Sequence, residues 1–177
     1  PTQPEEIAGV VEECFHLGAS MAYLHVRTPT DAPCCDPAIY TELNKLIRAR
    51  CPGMVLNNST GGGLAGDMVR EYSPGKFEVR FEERLRGLQG GPDVITVDTS
   101  TVIVVRKGKE VVFNTLPSEC DALIAGAHEL GIKPELMGFS AANVTQDINR
   151  LIKQGYDKPP LMVNLTVGFP STTSLPY

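Results

Sequence analysis

The stretch MVLNNSTGGG at residues 54–63 decides the fold. Its three apolar residues predict a buried β-strand, the next four side chains are polar, and three glycines follow. Polar residues that end a strand and open into a glycine loop are typical of the functional end of a barrel enzyme. The stretch therefore predicts one β/α unit with its chemistry at the carboxyl end of the strand.

The same order of elements recurs along the rest of the chain. Helical spacing of apolar residues, with caps predicted at Thr2–Glu5 and Ser118–Asp121, indicates helices over about 2–18, 36–47, 82–89, 118–131 and 144–155. Short apolar runs predict strands at 21–26, 54–56, 94–98, 134–139 and 161–167. Repeated helix–strand units imply parallel strands with right-handed crossovers. This pattern alone allows either a doubly wound α/β sheet or a TIM-type (β/α) barrel of about five units, which is too few to close eight strands.

Two segments interrupt the regular units of what we interpret as a single partial barrel domain over 1–177. Residues 65–81 form an irregular insertion with a turn at Ser73, Pro74 and Gly75. Residues 101–114 alternate like a β-hairpin around Lys107, Gly108 and Lys109. We expect this hairpin to lie on the barrel rim.

Composition narrows the classes of function. The 177 residues carry a net charge of -5 and no basic stripe, which argues against a nucleic-acid partner. No run approaches 18 apolar residues and no signal peptide is visible, so we expect a cytoplasmic chain without a membrane partner. Five cysteines without a C-x-x-C pair favour reduced thiols over disulfides or a structural zinc site.

The first strand carries one candidate metal site. Alternation places Tyr23, His25 and Arg27 on the same face of the strand. A neutral imidazole there could bind a metal, with the phenol as a hydrogen-bond donor or weak ligand. The alternative is a core histidine whose nitrogens are satisfied by the backbone.

Polar residues at the ends of the next two strands are candidate substrate contacts. Asn58, Ser59 and Thr60 offer neutral donors for a carboxylate or keto oxygen, although they could equally form a polar turn. Thr96 and Asp98 share one face of their strand. Asp98 is a candidate proton acceptor if it is buried, or else a turn acceptor.

Taken in order, many short motifs resemble those of the beta-keto acid cleavage enzyme family over nearly the whole chain. They are PEEIA at 4–8, EC at 13–14, GA at 18–19, LHVR at 24–27, CP at 51–52, NSTGG at 58–62, EERL at 82–85, NT at 114–115, GIKPE at 131–135 and PPL at 159–161.

The resemblance implies a TIM barrel that binds zinc and transfers an acetyl unit between a beta-keto acid and a coenzyme A thioester, with acetyl-CoA as co-substrate. Zinc would act as a Lewis acid on the keto oxygen. In the family pattern a His-x-His pair binds zinc; His25 matches the second histidine and Tyr23 stands at the first. Ser59 matches a substrate-contacting Ser or Thr, and Thr96 or Asp98 falls near another substrate-binding position.

These observations give the candidate site. We assign Ser59 and Asp98 as catalytic, and His25 and Tyr23 as metal ligands. The substrate-binding candidates are Arg27, Asn58, Ser59, Thr60 and Thr96.

Departures from the family pattern leave alternatives open. The family's first strand and its Gly-Leu-Glu-Asp-like motif, which carries another zinc ligand, have no counterpart here, so we expect a piece of a longer chain. Unpaired barrel edges also predict a homo-oligomer.

A catalytically inactive relative that binds a small acid or a protein partner would explain Tyr23. A metal-free aldolase or isomerase would need a catalytic lysine, for which Lys133, at the start of its strand, is the only candidate.

Overall fold

In the computed structural model, described here for residues 2–106 and 108–168 without the Arg106 side chain, the core is a five-stranded parallel sheet. Its strands are β1 (Met21–Leu24), β4 (Val55–Ser59), β7 (Val94–Asp98), β10 (Lys133–Gly138) and β11 (Met162–Leu165), paired in that order. Pro1, Lys107, which is the first residue of the expected rim turn, and residues 169–177 lie outside the described residues.

Strand order distinguishes the two candidate architectures. Spatial order follows chain order without a reversal, whereas a doubly wound sheet reverses at a switch point. The sheet is therefore a half-barrel, and the TIM-type prediction is confirmed. All carboxyl ends of its strands point to one edge, where the loops carry the candidate site.

Helices cover the outer face of the sheet. They are α1 (Pro4–His16), α2 (Pro37–Arg50), α3 (Phe81–Arg86), α4 (Pro117–Glu129), α5 (Ala141–Asn143) and α6 (Asn149–Lys153), with a π turn at Val144–Ile148 and 3₁₀ turns at Gly66–Met68 and Gly87–Gly90. Helix α2 shows the local logic: Asp36 accepts hydrogen bonds from the backbone of Ala38 and Ile39, and Pro37 opens the first turn. Its inner face buries Leu43 and Ile47 completely. Among the described residues, no helix has the length and apolar character needed to cross a membrane.

The two irregular segments pair with each other. Residues 65–81 contain a hairpin of β5 (Val69–Ser73) and β6 (Lys76–Val79), and the second hairpin consists of β8 (Val102–Arg106) and β9 (Lys109–Phe113). Strand β6 pairs with β9 in parallel, giving a four-stranded sheet in the order β5-β6-β9-β8. We call it the rim sheet. The predicted turn at Ser73, Pro74 and Gly75 joins β5 to β6, and the irregular insertion is a β-hairpin.

Three local predictions need correction. Helix α1 is capped at Gln3, and Glu6 rather than Glu5 accepts the backbone N–H groups of Thr2 and Gln3. Helix α4 is capped at Leu116, whose N–H donates to Glu119, so the Ser118–Asp121 cap is wrong.

The predicted first strand is also interrupted. It breaks at His25, after which β2 (Val26–Arg27) pairs with β3 (Pro33–Cys34) in a separate small sheet. The break separates Arg27 from the face that Tyr23 presents.

Candidate active site

A cavity of about 360 Å³ lies at the carboxyl ends of the parallel strands. Its polar lining comes from Tyr23, His25, Ser59, Asp98 and Thr166. The remaining lining consists of glycines and apolar side chains, several of them from the rim sheet. The structure thus brings both catalytic candidates and both metal candidates to one cavity.

Ser59 is held by two hydrogen-bond donors. The Tyr23 hydroxyl donates to Ser59 Oγ at 3.0 Å, and the backbone N–H of Gly61 donates to the same oxygen at 3.1 Å. Because Oγ accepts both bonds, the hydroxyl hydrogen of Ser59 is available to a further acceptor. The arrangement creates a donor suited to an oxygen that gains negative charge.

His25 has a defined tautomer. Its Nδ1 lies 3.2 Å from the carbonyl oxygen of Gly62, which can only accept, so Nδ1 carries the hydrogen and Nε2 has a free lone pair. Burial lowers the pKa of His25 and favours the neutral ring. The Tyr23 ring packs edge-on against it at 5.0 Å between centroids.

Asp98 faces a buried arginine that the sequence did not single out. Arg84 is 0% exposed, and its Nη2 lies 3.8 Å from Asp98 Oδ2. Burial raises the pKa of Asp98, against the opposing effect of Arg84.

Arg84 is anchored on several sides. Its Nη1 donates to the Asn114 carbonyl and the Thr115 hydroxyl at 2.8 Å each, Nε donates to the Thr60 carbonyl, and its guanidinium lies over Phe113. Arg84 belongs to the family-like EERL motif, which was the one available signal for it.

A polar network lies deeper inside the half-barrel. Glu135 Oε2 accepts hydrogen bonds from Thr96 Oγ1 at 2.7 Å and Asn57 Nδ2 at 2.9 Å. Thr96 therefore contacts the network rather than the lining of the cavity. Sequence reasoning missed Glu135, although alternation along β10 places it on the same inner face as Met137, which does line the cavity.

Three of the substrate-binding candidates lie elsewhere. Arg27 lines a neighbouring cavity of about 880 Å³ and donates to the Asp31 carbonyl. Asn58 lies fully buried beside Gly90, and its side-chain atoms have no hydrogen-bond partner in the described part of the chain. The Thr60 hydroxyl donates to the Thr96 carbonyl at 2.6 Å. Thr60 therefore supports the strand end.

Lys133 lies at the start of β10, far from the strand ends that carry the cavity. Its ammonium donates to both Asp157 oxygens at 2.8 and 2.9 Å and to the Lys158 carbonyl. These contacts give Lys133 a structural role as an ion pair and argue against the metal-free lysine enzyme.

The donor set does not amount to a zinc site. Within residues 2–106 and 108–168, no three His, Cys, Asp or Glu side chains lie together in a way that could hold a metal ion. A catalytic zinc usually has three protein ligands. His25 has the tautomer that a ligand needs, but the Tyr23 phenol is engaged with Ser59. The described residues therefore do not fit a catalytic zinc ion.

Comparison with known proteins identifies the family. The family model described as beta-keto acid cleavage enzyme matches residues 1–175. The chain belongs to the beta-keto acid cleavage enzyme family. This confirms the resemblance seen in the motifs.

The curated relatives of this chain are named for different substrates. A 3-keto-5-aminohexanoate cleavage enzyme from Fusobacterium nucleatum subsp. nucleatum is 29% identical over 98% of this chain and 58% of its own length. The enzyme of the same name from Acetoanaerobium sticklandii is 26% identical over 95% and 55%. A 3-oxoadipate:acetyl-CoA acetyltransferase from Cupriavidus necator is 26% identical over 84% and 47%. The chain thus spans about half the length of the curated relatives it matches.

Solved structures agree on the fold. A ternary complex of ObcA with a C4-CoA adduct and oxalate has a TM-score of 0.72 at 20% identity, covering 95% of this chain and 37% of that chain. A 3-dehydroquinate dehydratase from Enterococcus faecalis has a TM-score of 0.53 at 12% identity, covering 99% and 84%. At these identities the likeness shows the fold alone.

Proposed function

We propose that this chain forms the substrate-holding part of an enzyme that transfers an acetyl unit between a beta-keto acid and a coenzyme A thioester. Family membership and the names of the curated relatives support this reaction class. The observation that carries the proposal is the geometry of Ser59, whose hydroxyl accepts from Tyr23 and Gly61 and keeps its own hydrogen for an incoming oxygen.

Each residue then has a role that its contacts allow. Ser59 donates to the substrate oxygen that gains charge when the carbon–carbon bond changes. Asp98, buried and with a raised pKa, exchanges a proton with the substrate. Arg84 holds Asp98 in place without lining the cavity. Thr96 supports the site through Glu135 and is not itself a contact in this proposal.

The two cavities suggest how both substrates fit. The larger cavity shares His25, Gly63 and Leu64 with the inner one, so the two are adjacent. Arg27 and Lys109 line the larger cavity and supply positive charge, and Glu71 is the one carboxylate in its described lining. We place the keto acid in the inner cavity and the arm of the coenzyme A thioester in the outer one, with Arg27 contacting the coenzyme rather than the acid.

If the enzyme uses zinc, the ion needs protein ligands in addition to His25. His25 is the single well-prepared ligand, and a complete site needs donors beyond those described here. We also propose a homo-oligomer, because β1 and β11 are the outermost strands of the sheet within the described residues, and size-exclusion chromatography with light scattering would measure it.

Incubating the protein with acetyl-CoA and a beta-keto acid tests the reaction, with mass spectrometry detecting a new acyl-CoA thioester. We expect a new thioester from the wild type and a loss of about a hundredfold in rate for Ser59→Ala. A matched control is Thr145→Ala, an exposed hydroxyl on the π turn that lines neither cavity. Absence of any new thioester, across several acids and with added zinc, would contradict the proposal.

That negative result would favour the alternative, an inactive relative that binds a small acid. A zinc titration compares the two readings independently. Stoichiometric zinc that His25→Ala loses would mean that donors beyond those described complete the site, which supports the enzyme, and no zinc binding would support the inactive relative.

A further inference from the structure

The inner cavity is lined by two chemically different groups of residues. Its polar lining comes from Tyr23, His25, Ser59, Asp98 and Thr166. All its other lining residues are glycines or carry apolar side chains. A molecule that fills the cavity therefore needs a polar group for the first set and an apolar surface for the second.

The rim sheet supplies much of the apolar wall. Val102, Val104 and Phe113 line the cavity and are 3%, 6% and 8% exposed. The alternate residues of β8, Ile103 and Val105, are 41% and 63% exposed. Alternation thus presents one face of β8 to the cavity and the other to solvent.

The barrel completes this wall with Leu64, Met137 and Phe139. Among the described lining residues there is no lysine or arginine, and the only carboxylate is Asp98, which faces Arg84. A charged tail placed against this wall would lose its hydration without gaining an ion pair, which is costly.

We infer that the keto acid of this chain carries an uncharged, apolar substituent on the side remote from its carboxylate. The inference rests on the proposed function and narrows its substrate class. It separates this chain from relatives named for 3-keto-5-aminohexanoate and 3-oxoadipate, whose tails carry an ammonium or a carboxylate.

Three beta-keto acids of equal backbone length test the inference: 3-oxohexanoate, 3-oxoadipate and 3-oxo-5-aminohexanoate. Isothermal titration with freshly prepared acids measures binding without requiring turnover. We expect 3-oxohexanoate to bind about tenfold more tightly than either charged acid. Equal or tighter binding of a charged acid would overturn the inference and leave the proposed reaction standing. Failure of all three acids to bind would contradict the proposed function as well.

A pair of variants locates the effect on the wall. Val104→Lys places a cation in the apolar lining and should shift the preference toward 3-oxoadipate by about tenfold. Val105→Lys, on the solvent face of the same strand, should leave the wild-type preference unchanged. An unchanged preference in a folded Val104→Lys variant would overturn the assignment of this wall. The wild-type ratio tests the inference even if that variant fails to fold.

Discussion

The Tyr23 hydroxyl donates to Ser59 Oγ at 3.0 Å, across the gap between two neighbouring parallel strands. From the resemblance of the motifs, we infer that Tyr23 stands where the family pattern has its first zinc-binding histidine. In this chain the position therefore contacts the serine that we propose as the donor to substrate. A tyrosine in place of this histidine would weaken zinc binding, but it supplies a hydrogen-bond donor to Ser59.

Replacing Tyr23 with Phe tests this contact. The variant keeps the ring but removes one of the two donors to Ser59, so we expect turnover to fall by about tenfold. Stability should change by no more than about 1 kcal/mol, because Tyr23 is 47% exposed. Steady-state kinetics and thermal unfolding measure the two effects. Unchanged turnover would show that the contact is not used.

Replacing Tyr23 with His should restore the family's His-x-His pattern. A second imidazole beside His25 adds a zinc ligand, and we expect zinc affinity to rise by about tenfold or more. Competition against a chelator measures the affinity. Tyr23→Phe is the matched control because it opens the same position without adding a ligand, and equal affinity in the two variants would contradict the prediction.

Asp98 should make stability depend on pH. Because burial raises its pKa above the ordinary 3.8, the folded state binds the proton more tightly than the unfolded state. The resulting stabilisation is present at low pH and is lost as pH rises through the folded-state pKa. Asp98→Asn has no such proton, so its stability relative to wild type should increase from about pH 4 to about pH 7. Urea unfolding across this range measures the difference, and a constant difference would refute the prediction.

The inner polar network should depend on one acceptor. In Glu135→Gln an amide oxygen can still accept from Thr96 and Asn57, so we expect a loss of about 1 kcal/mol in the free energy of unfolding. Glu135→Leu removes the acceptor of the buried Asn57 amide and leaves the Thr96 hydroxyl only Asn57 Oδ1, at 3.1 Å, so the loss should reach about 3 kcal/mol. Urea unfolding of the two variants provides the comparison. Similar losses of unfolding free energy in the two variants would show that Glu135 contributes through packing and not through its hydrogen bonds.

Gly90 should resist substitution because of close packing. A Cβ there would lie 2.4 Å from the Tyr40 Cβ, so Gly90→Ala should cost about 1–3 kcal/mol. Gly9 lies within helix α1 and a Cβ there meets nothing within 4 Å, so Gly9→Ala should stabilise by about 0.5–1 kcal/mol. Thermal unfolding of both variants checks the opposite signs.

Local signals predicted the order of helices and strands, because apolar runs and glycine turns act over a few residues. Strand order, which decides between the two α/β architectures, is a long-range property that the pattern left open. The resemblance to the family motifs favoured the TIM-type barrel over the doubly wound sheet. Helix caps were misplaced by one or two residues, since neighbouring polar side chains at 2–6 and 116–121 offer several possible caps.

The candidate site was predicted in part. His25, Ser59 and Asp98 do share a cavity with Tyr23. The polar run at 57–60 concealed which residues face inward, although strict alternation separates Asn58 from Ser59. Arg84 could not be identified by pattern, because a charged helix ordinarily faces water and only the folded loops bring its acceptors together.

The rim sheet joins two segments that lie on either side of β7 in the chain, through the ladder between β6 and β9. Exchanging one hairpin for the loop of a relative would strip the other of its neighbour and leave an open strand edge, which invites aggregation. Anyone re-engineering this enzyme class by loop grafting should therefore move residues 65–81 and 101–114 as one cassette.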